Sequence, residues 1–317
     1  MLMRSEFEFI DNIKNKYSLN AIGDDCAVLP KDDKSDLLMT TDLLVEDIDF
    51  RLNWTTPEFL GHKALAVSLS DIAAMGGKPV WSMLSIGVPK NLWKTDFVDR
   101  FYEGWFALAH NFDVELIGGD ISRTPDKLVI DSVVGGEVKK GRAILRSTAK
   151  PGDSIFVSGS LGGAAGGLRL LENNAGNDAE LIGDLLLKQL KPQPQLIAAN
   201  TLQTLDIVSS MIDLSDGLSS DLRHICNASE VGAVFRFENL PVNADLAANF
   251  PANVCSDMAL NGGEDFELLF TVSVSSIPQI DLTAFTYIGD ITAKVSTIEL
   301  NIDGKVQNLN PKGYQHF

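Results

Sequence analysis

Short apolar runs alternate along this chain with stretches of helical periodicity. The first clear run, residues 37–41, ends at Asp42 and predicts a strand that delivers a carboxylate from its C-terminal end. Strands and helices are interleaved, which indicates an α/β (α+β) fold. Other predicted strands cover residues 80–88, 114–117, 128–138, 154–158, 207–212 and 268–272, and a helix is predicted over residues 97–111.

A second predicted helix follows Asp42. Thr56 is suited to be its N-cap and glycines at 76–77 would end it. Asp71 lies on the apolar stripe of this helix, four residues after Val67. A charged carboxylate on a core-facing stripe is costly unless it is paired or bound to a metal. Asp71 is therefore a candidate metal ligand, and an ion pair with Lys63 or another base is the alternative.

Aspartates recur at the predicted ends of elements and beside glycines. Crowded carboxylates repel one another unless cations lie between them, and hard oxygen ligands suit Mg²⁺. If these segments converge, the chain holds several magnesium ions, whose usual ligand is a polyphosphate. The segments are Gly23-Asp24-Asp25, Thr40-Thr41-Asp42, Ser70-Asp71, Gly118-Gly119-Asp120, Asp213-Leu214-Ser215-Asp216-Gly217 and Gly262-Gly263-Glu264-Asp265.

The length of the chain predicts its number of domains, and its net charge excludes some classes of partner. A chain of 317 residues is expected to form two domains, and the small, polar sequence around residues 147–153 predicts the boundary. The net charge of -17 argues against nucleic acid or an anionic membrane as a partner. A nucleotide remains possible where metal ions supply positive charge, although the acidity can also simply aid solubility.

The cysteines and the N-terminus predict a cytoplasmic protein. Cys26, Cys226 and Cys255 are far apart and odd in number, which fits a reducing compartment and gives no zinc spacing. They are expected to be small core residues. Residues 1–7 are too mixed for a signal peptide, and no run reaches the ~18 apolar residues that a membrane span needs.

The remaining candidates favour metal-assisted chemistry on phosphates. The four histidines, His62, His110, His224 and His316, are scattered outside any nucleophile or metalloprotease motif. Arg142 and Arg146 could clamp a phosphate or could be surface residues. The glycine-rich segment 159–167 could let a phosphate approach the backbone, but it lacks the Lys-Ser/Thr of a P-loop. A tight turn that packs a helix on a sheet is the alternative.

Taken in order, these segments resemble the thiamine-monophosphate kinase family, within the aminoimidazole-ribonucleotide-synthetase and selenophosphate-synthetase superfamily. Single triplets are unspecific, but their order over nearly the whole chain is highly specific. The resemblance runs through Ile22-Gly23-Asp24-Asp25-Cys26-Ala27-Val28, Thr40-Thr41-Asp42, Leu69-Ser70-Asp71-Ile72-Ala73-Ala74-Met75-Gly76, Ile117-Gly118-Gly119-Asp120, Gly141-Arg142-Ala143 with Arg146, Asp213-Leu214-Ser215-Asp216-Gly217, Gly262-Gly263-Glu264-Asp265 and Lys312-Gly313-Tyr314-Gln315-His316-Phe317.

The resemblance implies that ATP phosphorylates thiamine monophosphate to thiamine diphosphate by direct in-line transfer, assisted by several Mg²⁺ ions. It implies a synthetase-type α/β domain over residues 1–147, which binds ATP and magnesium and dimerises through a mixed sheet. A C-terminal α/β domain over residues 148–317 would close over the active site of this homodimer.

The resemblance also implies roles for individual residues. The matching magnesium ligands are Asp25, Thr40, Thr41, Asp42, Asp71, Asp120, Asp213 and Asp216. The matching ATP contacts are Gly119, Asp120, Arg146 and Ser215. The matching substrate contacts are Glu264, Tyr314 and position 49, and the catalytic set is Asp42, Asp71, Asp120 and Asp216.

One position departs from the family pattern. Where the family commonly reads Val-Glu-Gly-Val-His-Phe, this chain reads Val45-Glu46-Asp47-Ile48-Asp49-Phe50. Asp49 thus replaces a histidine at a substrate contact. A further carboxylate would repel an anionic acceptor unless it were protonated or bound to a metal.

Three alternatives remain open. Another superfamily member could activate an amide, formyl or selenide acceptor, but the ending Gly-Tyr-Gln-His-Phe favours the thiamine kinase and no selenophosphate-type N-terminal nucleophile segment is present. A non-catalytic divalent-ion-binding protein would be supported by Asp-x-Asp-x-Asp-Gly loops, which the sequence lacks. A magnesium-dependent phosphatase would need no nucleotide donor.

Overall fold

The computed structural model describes residues 6–173, 179–310 and 312–314. The motif residues Gln315, His316 and Phe317 lie outside these ranges. Within the described ranges, every helix is too short or too polar to cross a bilayer. Cys26, Cys226 and Cys255 are buried and unbridged, as predicted.

The N-terminal half folds around a five-stranded mixed sheet of order β1-β2-β5-β3-β4. Neighbouring strands are antiparallel except for the parallel pair β3 and β4. The elements are α1 (Glu6–Tyr17), β1 (Ala27–Pro30), β2 (Ser35–Val45), α2 (Pro57–Ala74), β3 (Lys78–Pro89), α3 (Lys90–Trp93), α4 (Phe97–Asn111), β4 (Glu115–Thr124) and β5 (Val129–Lys139).

The C-terminal half forms a seven-stranded mixed sheet of order β12-β11-β8-β10-β6-β9-β7. Its strands are antiparallel apart from the parallel pair β8 and β11. The elements are β6 (Ser154–Ser158), α5 (Gly163–Glu172), α6 (Ala179–Leu190), α7 (Leu196–Leu205), β7 (Val208–Asp213), α8 (Leu218–Ala228), β8 (Gly232–Arg236), α9 (Ala244–Asn249), α10 (Ala252–Asn261), β9 (Leu268–Val272), β10 (Phe285–Thr292), β11 (Ile298–Ile302) and β12 (Lys305–Asn308).

Helix α2 lies between the two halves. It begins as predicted, with the Thr56 hydroxyl accepting the N–H of Phe59 at 3.2 Å and proline at the first helical position. The single apolar stripe was wrong, because every residue from 60 to 70 is buried. The helix packs on β2, β5 and α4 of the N-terminal half and on α7 and β7 of the C-terminal half. Polar side chains on α2 therefore lie in the interior and need partners there.

Two carboxylates do not lie at strand ends as the sequence predicted. Strand β2 continues past Asp42 because its pairing with β5 runs on to Val45. Strand β4 likewise continues through Asp120, paired with β3. Gly119 permits this, since it has φ +150° and a Cβ there would lie 1.9 Å from the carbonyl oxygen of Leu84.

The glycine-rich segment before α5 is a helix-packing turn. Gly162 has φ +83°, and its N–H donates to Oδ2 of Asp265 at 2.6 Å. The N–H of Ala164 donates to Oδ1 of the same carboxylate at 3.1 Å. The Asp265 carboxylate thus occupies the N-terminus of α5, where a phosphate could otherwise have bound.

Candidate active site

Four carboxylates from both halves of the chain converge beside α2. We call Asp25, Asp42, Asp71 and Asp213 the aspartate cluster. Carboxylate oxygens of Asp25, Asp71 and Asp213 lie within 4.8 Å of one another. Asp42 is close enough to raise the pKa of Asp71. The segment before β1, strand β2, helix α2 and strand β7 thereby bring acids separated by up to 188 positions (Asp25 to Asp213) into one site.

Hydroxyl groups hold three members of the cluster. Ser68 Oγ donates to Asp42 Oδ2 at 2.6 Å, and Ser70 Oγ donates to Asp213 Oδ2 at 2.6 Å. The Thr40 hydroxyl donates to Asp71. Such hydrogen bonds orient one carboxylate oxygen and leave the other for a cation. Both serines lie on the helix that carries Asp71, and their proximity to that residue is the signal that could have indicated them.

Burial and mutual repulsion make the carboxylates of the cluster hard to ionise, which raises their pKa values. Burial raises the pKa of Asp42 to about 6 and that of Asp213 to about 8, with neighbouring aspartates adding to the second shift. Burial and the charges of Asp42, Asp213 and Asp25 raise the pKa of Asp71 well above its usual value. Carboxylates that resist ionisation in this way are stabilised by cations, which replace the protons.

Arg146 supplies a guanidinium to the same site. Its Nε donates to Asp25 Oδ2 at 3.1 Å and its Nη2 donates to Asp25 Oδ1, while its backbone N–H donates to Asp24 Oδ2 at 3.1 Å. Burial, helped by Asp25, raises the pKa of Asp24 to about 7. Arg146 thus ties the segment after β5 to the acids that precede β1.

Arg142 lies elsewhere. Its Nη2 is 2.9 Å from Asp206 Oδ2, and both side chains are about half exposed. The pair borders a cleft of about 860 Å³ that opens beside Gly77 and Ile197 and that none of the cluster acids lines. Of the two candidate arginines, Arg146 is therefore the one that the fold brings to the aspartate cluster.

A second acidic group lies at the start of α8. Ligand atoms of Asp216, Asp221 and His224 lie within 4.8 Å of one another. Asp221 Oδ2 accepts the N–H groups of Asp216 and Gly217 at 3.2 and 3.0 Å. Burial lowers the pKa of His224 to about 4, so its imidazole is neutral at pH 7. The sequence pattern did not reveal Asp221 or His224, which one and two further turns of an ordinary helix bring beside Asp216.

Two of the predicted substrate contacts, Glu264 and Tyr314, are tied by their backbone N–H groups to residues 215 and 216 after β7. Burial raises the pKa of Tyr314, and the charges of Asp49, Glu264 and Asp216 add to that shift. The Tyr314 N–H donates to the Asp216 carbonyl at 3.2 Å, and the Glu264 N–H donates to the Ser215 carbonyl at 2.8 Å. The Asp49 carboxylate accepts the N–H of Val45 at 2.7 Å.

The Lys63 alternative for Asp71 was wrong. Lys63 Nζ instead lies 2.7 Å from Glu264 Oε1. Among the described residues, the partners of Asp71 are the Thr40 hydroxyl and the other acids of the cluster.

Asp120 and Thr41 lie on the opposite face of the first sheet. Asp120 pairs with Ser85, Ser85 pairs with Asp131, and Asp131 pairs with Leu43, so these four form one row. Thr41 Oγ1 donates to Asp131 Oδ1 at 2.8 Å on that face.

Side chains alternate along a strand, so Asp42 points the other way, towards α2. Strands β3 and β5 also separate β4 from β2 by about 14 Å. One chain alone therefore does not bring Asp120 to the aspartate cluster.

Comparison with known proteins identifies the architecture. Residues 23–138 match the AIR synthase related protein, N-terminal domain, and residues 150–275 match the C-terminal domain of the same description. The chain is 39% identical over 305 residues to thiamine-monophosphate kinase from Escherichia coli (strain K12), covering 93% of this chain and 91% of that protein. It is 38% identical over 307 residues to thiamine-monophosphate kinase from Bacillus subtilis (strain 168), covering 93% of each.

Solved structures agree with these matches. The fold superposes on AaThiL complexed with AMPPCP and TMP with a TM-score of 0.89 and 32% identity, over 100% of this chain and 99% of that one. The hydrogenase maturation protein HypE in complex with ATP shares the fold at 18% identity, with a TM-score of 0.70 over 96% of this chain and 94% of that one. By its sequence and its two-domain architecture, the chain belongs to the thiamine-monophosphate kinase family of AIR-synthase-related proteins.

Proposed function

We propose that this protein transfers the γ-phosphoryl group of ATP to the phosphate of thiamine monophosphate, giving thiamine diphosphate and ADP. The observation that carries the proposal is the aspartate cluster, whose member Asp213 lies three residues before Asp216, the residue whose carbonyl accepts the Tyr314 N–H. The names of the relatives and the ligands of the AaThiL complex support the two substrates.

Several Mg²⁺ ions are part of the proposal. Asp25, Asp42, Asp71 and Asp213 would hold them, and Asp216 would contribute from the start of α8. The donor set fits a hard cation because it consists of carboxylate oxygens whose second oxygens are oriented by serine and threonine hydroxyls. When bound, magnesium supplies positive charge that screens the phosphates and polarises the transferred group.

The transfer is proposed to be direct and in line. An oxygen of the acceptor phosphate forms a bond to the γ-phosphorus as the bond from that phosphorus to the β–γ bridging oxygen breaks, and ADP leaves with the electron pair. The acceptor is already an anion, so no general base is needed and the protein's task is positioning. Arg146 is the guanidinium available to orient phosphate oxygens, once cations relieve its pairing with Asp25.

The acceptor end suits a cation that carries a phosphate. Thiamine contains a positively charged thiazolium ring, and the carboxylates of Asp49 and Glu264 would stabilise that charge beside the ring of Tyr314. In this arrangement Asp49 meets the cationic part of the acceptor rather than its phosphate. The carboxylate at position 49 is then compatible with thiamine monophosphate.

A homodimer is also part of the proposal. The sheet face opposite α2 carries large apolar side chains with exposed fractions of 59 and 41% at Leu43 and Met83. An apolar sheet face of this kind favours burial against a second copy. We further propose a cytoplasmic location, which the unbridged cysteines support.

The test is to incubate purified protein with Mg-ATP and thiamine monophosphate and to follow ADP and thiamine diphosphate by chromatography. We expect equal amounts of both products, and none when EDTA removes the metal. Release of inorganic phosphate from thiamine monophosphate without ATP would indicate a phosphatase instead. ADP formed without thiamine diphosphate would mean that the acceptor is a different molecule.

A further inference from the structure

Lys63 is a buried lysine that makes its contacts at the acceptor end of the site. Only 3% of the residue is exposed, and it lies eight positions, about 12 Å, before Asp71 along α2. Its ammonium is 2.7 Å from Glu264 Oε1 and 3.3 Å from the carbonyl oxygen of Gln189. A buried ammonium is costly without such partners.

Gln189 completes the arrangement around Glu264. Its side-chain amide donates to the second carboxylate oxygen, Glu264 Oε2, and Gln189 itself is 5% exposed. Both oxygens of Glu264 are therefore held, one by α2 and one by α6. The Glu264 side chain is nevertheless 30% exposed, so a ligand can reach it.

The backbone of Glu264 also needs this support. Its φ of +65° is a left-handed conformation that residues other than glycine rarely adopt. Such a conformation persists where surrounding contacts over-determine it. Here those contacts are the Ser215 carbonyl on the backbone and Lys63 and Gln189 on the side chain.

We propose that Lys63 is a positioning residue for acceptor recognition, a role that rests on the proposed function. It holds the Glu264 carboxylate in the orientation that meets the cationic part of thiamine monophosphate, without touching ATP or the transferred group. Loss of Lys63 frees one oxygen of Glu264 and releases the side chain from its place. Binding of the acceptor then weakens, while binding of ATP does not.

Neighbouring His62 provides a matched control. Like Lys63 it is buried on α2 and reaches the C-terminal half, with its Nε2 2.7 Å from the carbonyl oxygen of Pro192. Its described hydrogen bonds involve residues 192 and 193 and not Glu264. A variant at His62 therefore removes a contact between the two halves without releasing Glu264.

The experiment measures kcat and both KM values for Lys63→Met, Lys63→Arg and His62→Gln. We expect Lys63→Met to raise the KM for thiamine monophosphate about 10- to 100-fold, the range of one charge-assisted hydrogen bond. The KM for ATP should stay within about twofold. Lys63→Arg keeps the positive charge and should raise the acceptor KM less than Lys63→Met does. His62→Gln should leave the acceptor KM near the wild-type value.

If Lys63→Met does not fold, Gln189→Leu removes the other support and should shift the acceptor KM in the same direction. An unchanged acceptor KM, or an equal rise in both KM values, overturns the role of Lys63. An equal rise in the acceptor KM in His62→Gln also overturns it, because the rise would then come from lost contact between the two halves of the chain. Wild-type protein that makes no thiamine diphosphate overturns the proposed function, and this inference with it.

Discussion

The hydroxyl of Ser70 donates a 2.6 Å hydrogen bond to Oδ2 of Asp213. Ser70 lies on α2 in the N-terminal half, whereas Asp213 is the last residue of β7 in the C-terminal half. Both residues are buried, at 0 and 2% exposure. One hydrogen bond thus fixes the acid of the second half against Asp25 and Asp71 of the first.

The variant Ser70→Ala should loosen the Asp213 carboxylate and weaken metal binding. Changes around metal ligands typically cost about 10- to 100-fold in affinity or activity. We expect a rise of that size in the Mg²⁺ concentration required for half-maximal turnover, and weaker Mn²⁺ binding by electron paramagnetic resonance without substrates. Ser82→Ala is the control, because Ser82 is equally buried but donates to the Val133 carbonyl. Equal behaviour of the two variants would contradict the assigned role.

The variant Asp71→Asn should abolish transfer and leave the fold intact. The amide keeps the size of the side chain but removes a charge that Asp42, Asp213 and Asp25 repel. The melting temperature of the metal-free variant should therefore equal or exceed that of the wild type. Circular dichroism and the chromatographic assay check both statements. Wild-type turnover in this variant would contradict the magnesium assignment of Asp71.

Much of the fold was predictable because local signals and tertiary packing agree. Residues 97–111 form α4, and residues 154–158 form β6, within the bounds that the sequence predicted. The strand ends near Asp42 and Asp120 were wrong, because pairing with β5 and β3 outweighed the local glycines and polar residues. Strand length is set by a partner that is distant in sequence, which local patterns do not contain.

The acidic residues of the site could be predicted from the sequence, but the residues that hydrogen-bond to them could not. Asp71 stood out because a charge on an apolar stripe needs a partner, and Asp25 and Asp213 stood out because they lie beside glycines or at a predicted element end. Ser68, Ser70 and Gln189 did not, since a serine or glutamine is unremarkable until burial and geometry give it a partner. The pairing of Lys63 with Glu264 was missed for the same reason, because only the packing of α2 against α6 and the Glu264 loop brings Glu264 within reach.

Asp120 provides a test of the proposed dimer. It lies on the sheet face away from the aspartate cluster of its own chain, in the row that contains Asp131 and Leu43. If a second copy docks on that face, Asp120 is expected to serve the partner's site. Asp71→Asn and Asp120→Asn would each be inactive alone, but a mixed dimer would contain one intact site.

The measurement for Asp120 is turnover after the two inactive variants are mixed, unfolded together and refolded. Random assortment should restore roughly a quarter of wild-type activity, because half of the dimers are mixed and each has one intact site of two. Each variant refolded alone is the control. Restored activity supports a shared site, whereas no restoration would mean that Asp120 acts within its own chain or not at all.

Stability of the metal-free protein should fall as pH rises. Asp213 has a folded pKa of about 8 and Asp42 one of about 6, whereas an unperturbed aspartate titrates at 3.8. The folded state thus binds more protons than the unfolded state between about pH 4 and pH 8, so the free energy of unfolding decreases through this window. Mg²⁺ should reverse the trend, since cations compete with protons for the same oxygens.

Urea unfolding at pH 5.5, 6.5, 7.5 and 8.5, with EDTA or with Mg²⁺, measures this dependence. Asp213→Asn is the matched variant, because it removes the group with the pKa of about 8 and keeps its shape. Its stability should decline less than that of the wild type between pH 6.5 and 8.5 in EDTA. Equal slopes for the two proteins would mean that Asp213 is ionised throughout this range, and that Arg146 or the Ser70 hydrogen bond offsets its burial.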